Sequence, residues 1–252
     1  MHNPTLAIIG GTGLYRLAGF EAVESVDLDT PYGSTSAPIR IGALAGQMVA
    51  FLARHGEQHQ YAPHRVNYRA NLWALREIGA RRVLAINAVG GIAKNCPPQA
   101  LVLPDQLIDY SSGRSSSYAD ESAGEVRHID FSDPYTASLR QSTLAAAERV
   151  GVAVVDGGTY AVTQGPRLET RAEITRLARD GATLVGMTGM PEAALARELD
   201  LEYACLAVVA NWAAGLGDGG EITMAEIEAN LTEGMTKVAQ VLSALAARIV
   251  AP

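Results

Sequence analysis

Three short polar fragments each follow an apolar run, and each is suited to holding an oxyanion: Gly10-Gly11-Thr12-Gly13, Arg54-His55-Gly56 and Met187-Thr188-Gly189. Glycines let backbone N–H groups turn toward an anion, and the Thr12 hydroxyl adds a donor. The Arg54 guanidinium is a planar fork that matches phosphate, and His55 beside it offers a further donor. Taken singly, each fragment has an ordinary explanation as a tight strand exit, a surface ion pair or a turn. Three of them at strand ends imply one phosphate-sized site at the rim of a single sheet. The chemistry suggested is that of an enzyme acting with phosphate.

Further polar residues are placed in the same way. Asn87-Ala88-Val89-Gly90-Gly91 closes an apolar run; its glycine pair permits close approach of a ligand, or simply makes a turn. Glu169 could accept a hydrogen bond from a ligand N–H, or its charge could serve the N-terminus of the helix that follows. Asn211 ends the run Tyr203–Ala210, where a carboxamide can reach a ligand or begin a loop. Two other chemistries are disfavoured. Gly11-Thr12-Gly13-Leu14-Tyr15-Arg16 lacks the third glycine of a dinucleotide fingerprint, and no acidic residue ends a second strand of such a unit. His55-Gly56-Glu57-Gln58-His59 is not the H-E-x-x-H of zinc proteases, and Gly56 opposes the helix that would converge the two rings, so no metal site is expected.

The elements that must position these residues alternate. Strand-like runs occur at Leu6–Ile9, Ile39–Leu44, Met48–Leu52, Val83–Val89, Leu101–Ile108, Val152–Val155, Tyr160–Thr163, Leu184–Met187 and Tyr203–Ala210. Several are continuously apolar, as in strands buried on both faces. Gly46-Gln47 suggests a tight hairpin, which makes part of the sheet antiparallel. Helical spacing covers Val66–Ile78, Thr136–Val150, Arg171–Arg179, a segment from Pro191 to Leu199, and Met224 to Ile249. Thr223 and Glu226 form a capping-box pattern before the last of these. Interleaved strands and helices mean an α/β fold. The Ser-rich stretch 110–124 reads as a long surface loop rather than a linker, so residues 1–252 are expected to form one domain.

Composition narrows the function. The chain has 252 residues, 48% of them hydrophobic, and a net charge of −7. That length supports a substantial core, and the acidic balance argues against a general nucleic-acid binder. No apolar run is long enough to span a bilayer. Cys96 and Cys205 form no CxxC and imply neither a disulfide framework nor a zinc site. No secretory signal is visible at the start, so a soluble cytoplasmic protein is expected.

Six ordered stretches resemble the trimeric purine nucleoside phosphorylase family, in the branch acting on 5′-methylthio nucleosides. They are Ile9–Leu14; Arg54-His55-Gly56 with His59; Pro63–Leu75; Asn87–Gly91; Gly165-Pro166-Arg167; and Met187–Glu192. The resemblance covers nearly the whole chain. It implies an α/β fold with a central mixed, twisted and partly barrel-like β-sheet flanked by helices. It also implies phosphorolysis, in which inorganic phosphate attacks C1′ of the ribose and the purine leaves. Phosphate is then a co-substrate and no cofactor is needed. By the same resemblance Thr12, Arg54, His55, Ala88 and Thr188 would hold phosphate, Met187 would lie against the ribose, and Leu168, Glu169 and Asn211 would meet the base, with Glu169 and Asn211 carrying the catalytic contacts. His128 would reach a neighbouring subunit's site, which implies a homotrimer with composite sites.

Departures within the family indicate the substrate. Members that use adenine have aspartates where this chain reads Asn211-Trp212-Ala213, and a pair of serines where it has Glu169-Thr170. Hypoxanthine presents N1–H, a donor that suits a carboxylate; adenine presents an N1 lone pair that such a carboxylate repels. A site built on hydrogen bonds rejects the mismatched base because buried groups go unpaired. Members that use inosine or guanosine place a histidine near the 5′-hydroxyl at the start of the last helix. Here Met224 and Ile227 stand there, sharing a helix face that suits a methylthio group or simply packs in the core. The combined expectation is phosphorolysis of S-methyl-5′-thioinosine to hypoxanthine and 5-methylthioribose 1-phosphate. Methylthioadenosine or inosine/guanosine phosphorolysis are the alternatives, and a non-catalytic nucleoside-binding protein is the alternative of another class.

Overall fold

The continuous apolar runs form strands with no solvent-facing side. Leu6–Gly10 (β1) is buried at every residue, and Glu202–Trp212 (β11) is buried along all but its two ends. In the computed structural model, residues 4–14, 17–119 and 126–249 are described. An eleven-stranded mixed sheet runs through them. One path follows Phe20–Val26 (β2), Ile39–Leu44 (β3), Gln47–Ala53 (β4), β1 and Arg82–Gly91 (β5), then Leu184–Gly186 (β10), Thr159–Val162 (β9) and Gln106–Asp109 (β7). The sheet branches at β5, which also pairs in parallel with β11; from there a second arm continues through Leu101–Leu103 (β6) to Val154–Asp156 (β8).

Among the described residues five α-helices flank the sheet: Tyr68–Glu77 (α1), Ala137–Arg149 (α2), Arg171–Arg179 (α3), Glu192–Glu198 (α4) and Met224–Ala246 (α5). Their starts are fixed by side chains. Asn67 accepts from the Ala70 amide at the head of α1, and Thr170 and Glu173 form a reciprocal capping box on α3. The main core joins β1, β4, β5 and β11 to α1, α2, α4 and α5. Each fully buried leucine or isoleucine there contributes roughly 1.5–3 kcal/mol relative to exposure.

The expected α/β architecture is present, with local differences. The hairpin turn is Ala45-Gly46, both at positive φ, so Gln47 already pairs with Leu44. Run 101–108 divides into β6 and β7 at Pro104-Asp105, because proline cannot continue the ladder. Pro191 caps α4 rather than opening it, and α5 stops at Ala246. Strand β2 carried no sequence signal: its five interior residues are exposed, so neither face needed an apolar pattern. Loop 110–119 is pinned by Arg114, described below; residues 120–124 of the same stretch, like Tyr15 and Arg16, lie outside the described residues.

Candidate active site

Parallel pairing of β1 with β4 and β5, and of β5 with β11, brings four strand ends together. Ligand sites in open α/β sheets form at such carboxyl ends. The exits deliver Gly10-Gly11-Thr12, Arg54-His55, Ala88-Val89-Gly90 and Asn211 to one place, and β10 adds Met187-Thr188. A cavity of about 290 Å³ opens there. Its lining includes every residue of the expected phosphate, ribose and base sets, together with Met224 and Ile227. His128 is exposed and does not line it. His59, Pro63, Pro166 and Ile222 line it as well.

The phosphate side is dominated by a buried ion pair. Arg54 Nε and Nη2 donate to the two carboxylate oxygens of Glu192 at 2.7 and 2.9 Å, and Nη1 donates to the Ile86 carbonyl at 3.0 Å. Arg54 and Glu192 are both fully buried. Burial alone would lower the Arg54 pKa, but the Glu192 charge outweighs it, and the net shift is upward. Tyr203 Oη donates to Glu192 Oε1 at 2.8 Å. The guanidinium fits under the first turn only because residue 11 is glycine: a Cβ there would sit 2.8 Å from Arg54 Nη1. So the Arg54 fork is spent largely on Glu192, and only its remaining N–H bonds are available to a ligand.

His55 is 4% exposed, and its Nδ1 lies 2.8 Å from the Tyr61 carbonyl. A carbonyl only accepts, so Nδ1 carries the proton and Nε2 offers a lone pair in the neutral ring, which meets phosphate as an acceptor of its O–H and not as the further donor expected from sequence. Burial, reinforced by the Arg54 charge, lowers the His55 pKa to about 4. Thr188 is oriented by a chain of donors: the Cys205 thiol lies 3.2 Å from Asn87 Oδ1, and Asn87 Nδ2 donates to Thr188 Oγ1 at 2.7 Å. Burial raises the Cys205 pKa, keeping it a thiol and a donor. Thr188 Oγ1 is therefore an acceptor toward Asn87, and its own proton is free for an anion.

The base side is built differently. A register shift between Val209 and Asn211 interrupts the β5–β11 pairing, and Asn211 follows directly. Such bulges re-aim side chains beside ligand sites. Asn211 Nδ2 donates to the Trp212 carbonyl at 2.7 Å, which fixes the carboxamide orientation. Ala213 packs with Val185, Ile174 and Leu177 in a small apolar cluster. Glu169 accepts from Thr163 Oγ1 at 2.6 Å, while its neighbour Leu168 is 44% exposed. Arg114 spans both loops: Nη1 donates to the Met187 and Met190 carbonyls, Nη2 to those of Thr163 and Gln164, and Nε to Gln164 Oε1. All five of its N–H bonds are used.

Sequence reasoning assigned no part to Glu192, Asn87, Thr163 or Arg114. Glu192 and Asn87 lay inside stretches already singled out, but their partners are 138 and 101 residues away. A lone arginine in a Ser-rich loop was the one local sign of Arg114.

Known proteins place this geometry. The chain is 58% identical over 241 residues to the probable S-methyl-5′-thioinosine phosphorylase of Xanthomonas campestris pv. campestris, covering 96% of each. It is 47% identical over 230 residues to the S-methyl-5′-thioadenosine phosphorylase of Mycolicibacterium smegmatis, covering 91% of this chain and 85% of that one. A methylthioadenosine phosphorylase sourced from an antarctic soil metagenomic library superposes with a TM-score of 0.92 at 34% identity, covering 99% of this chain and 87% of that chain. A profile of the phosphorylase superfamily matches residues 5–247. With nearly its whole length matched in sequence and in fold, the chain belongs to the phosphorylase superfamily.

Proposed function

We propose that this nucleoside phosphorylase acts on S-methyl-5′-thioinosine, releasing hypoxanthine and 5-methylthioribose 1-phosphate. One observation carries the reading: Glu169 and the Asn211 carboxamide line the same cavity as the phosphate set, and no aspartate replaces them. Glu169 accepts N1–H of a 6-oxopurine. Asn211 donates its remaining N–H to O6 or N7 as the departing base gains charge. Ala213, set in an apolar cluster, leaves no second carboxylate for a 6-amino group.

Thr12, Arg54, His55, Ala88 and Thr188 hold phosphate below C1′, and Met187 packs against the ribose. The protein supplies no nucleophile; it orients phosphate and stabilises separating charge. Ile222, Met224 and Ile227 give the far end of the cavity an apolar lining suited to a methylthio group. Met224 is 64% exposed, so this end is half open in one protomer. That openness supports a homotrimer in which His128 of a neighbouring copy closes the 5′ end. The reaction needs no cofactor or metal. The small-molecule substrates and the acidic charge support a cytoplasmic enzyme without nucleic-acid partners, and among the described residues no helix is long and apolar enough to cross a membrane.

The test is a side-by-side assay of methylthioinosine, methylthioadenosine, inosine and guanosine, each with and without phosphate. Methylthioinosine is expected to give the highest kcat/KM, and only with phosphate present. A clear lead for methylthioadenosine would refute the roles of Glu169 and Asn211. Equal turnover without phosphate would make the enzyme a hydrolase.

A further inference from the structure

Glu169 is half-buried on a connecting loop, and a glutamate there has three rotatable bonds with which to miss its target. Its surroundings show what restrains it. Thr163 Oγ1 donates to Glu169 Oε1 at 2.6 Å, the length of a hydroxyl donating to a carboxylate. The same oxygen lies 3.3 Å from the Gly186 carbonyl, a far weaker alternative acceptor. Among the described residues no protein group donates to Glu169 Oε2.

Thr163 is itself held from two sides. Its amide donates to the Gly186 carbonyl at 2.8 Å, and its carbonyl accepts from Arg114 Nη2 at 3.2 Å. The hydroxyl is thus fixed to the strand end and clamped loop that also carry Met187. Arg167, two residues away in sequence, is occupied: it forks onto Glu173 at 2.8 and 2.7 Å, and Glu173 also accepts from the Thr170 amide. Two carboxylates four residues apart therefore divide the work. Glu173 takes the arginine and caps α3. Glu169 takes one hydroxyl and keeps the rest of its acceptor capacity for the cavity.

We infer that Thr163 is the positioning residue for purine discrimination, its hydroxyl holding the Glu169 carboxylate as an acceptor aimed at a base that carries a proton on N1. This rests on the 6-oxopurine reading above and adds a determinant to it. With the hydroxyl removed, Glu169 loses its anchor and the ordering of its side chain falls on the substrate.

The experiment compares Thr163→Val, which keeps shape and loses the hydroxyl, with Thr163→Ser, which keeps the hydroxyl. Each is assayed on methylthioinosine and methylthioadenosine at saturating phosphate, with phosphate KM measured separately. Thr163→Val is expected to lower kcat/KM for methylthioinosine by about tenfold or more, the scale of a hydrogen bond to a charged group. Activity on methylthioadenosine and phosphate KM should stay near wild type, and Thr163→Ser should restore discrimination. The inference is overturned if Thr163→Val keeps the wild-type ratio, if both substrates and phosphate KM worsen together, or if serine does not rescue. A wild-type enzyme with no preference for methylthioinosine would instead remove the underlying reading before any variant was compared.

Discussion

The two halves of the cavity are held by different means. On the phosphate side, Arg54, His55, Asn87, Thr188 and Glu192 are each buried, and their polar atoms are tied to one another or to backbone. On the base side, Leu168 is 44% exposed and the Glu169 carboxylate rests on a single hydroxyl. Several constraints fix the whole of the first half; in the second, Asn211 is buried and Arg114 clamps the loop backbone, but few constraints reach the side chains of Leu168 and Glu169. Changes to the phosphate half should therefore register as lost stability. Changes at Leu168 and Glu169 should leave the fold intact and alter which nucleoside is used.

The largest expected effect probes that contrast directly. Glu192→Ala leaves the Arg54 charge buried without a counter-charge, which should cost about 3–5 kcal/mol. Urea unfolding should show a correspondingly lower midpoint. Glu169→Gln, on the partly exposed loop, should cost less than about 1 kcal/mol in the same measurement, within the ordinary range for such sites. Equal losses in the two variants would erase the distinction between the halves. Arg54→Ala would lose phosphate affinity, but it would also strand Glu192, so it cannot report on phosphate contact alone.

How much of this was legible in the sequence follows the same division. The strand ends announced themselves because continuous apolar runs stop at glycine, arginine, threonine or asparagine, and those stops are local. Gly10, Arg54, Thr188 and Asn211 could be found that way, whereas Ala88, inside the run Val83–Val89, came only through the family resemblance; parallel pairing of β1, β4, β5 and β11, with β10 antiparallel on β5, then brought them together. What holds them could not be found that way. The Arg54–Glu192 pair joins the end of β4 to the start of α4, and periodicity says nothing about which carboxylate an arginine meets across 138 residues. For the same reason the Arg54 fork reads from sequence as open to phosphate, when most of it faces Glu192. Thr163 looked like the last residue of a strand, and only the fold of the Gln164–Leu168 loop brings Glu169 back to its hydroxyl.

A smaller effect concerns protons on the phosphate side. The His55 pKa of about 4 lies below the value of about 6.5 expected in an unfolded chain. Between those values the unfolded state binds the extra proton, so stability rises with pH. The contribution is complete above about pH 6.5 and is lost as pH falls toward 4, with an upper limit of about 3 kcal/mol. Thermal melts of wild type and His55→Gln between pH 7.5 and 4.5 should therefore converge as the solution becomes acidic. Parallel curves would mean that His55 carries its proton elsewhere, and that the Tyr61 carbonyl does not hold the neutral ring.

The smallest change in stability is expected where the cavity is most open. Met224 is the first residue of α5 and is 64% exposed, so truncating it to alanine removes little packing and should cost under about 0.5 kcal/mol. Its effect on substrate choice should be larger than its effect on the fold. Burying one methylene-sized group is worth about 0.8 kcal/mol, or about fourfold in affinity. Met224→Ala should therefore raise KM for methylthioinosine by a few fold and leave KM for inosine, which offers a hydroxyl at that end, near wild type. An equal rise for both nucleosides would mean that Met224 supports the ribose in general. A selective rise would place the sulfur of the substrate against the first turn of α5, in the half of the cavity where a single side chain can change the ligand without disturbing the fold.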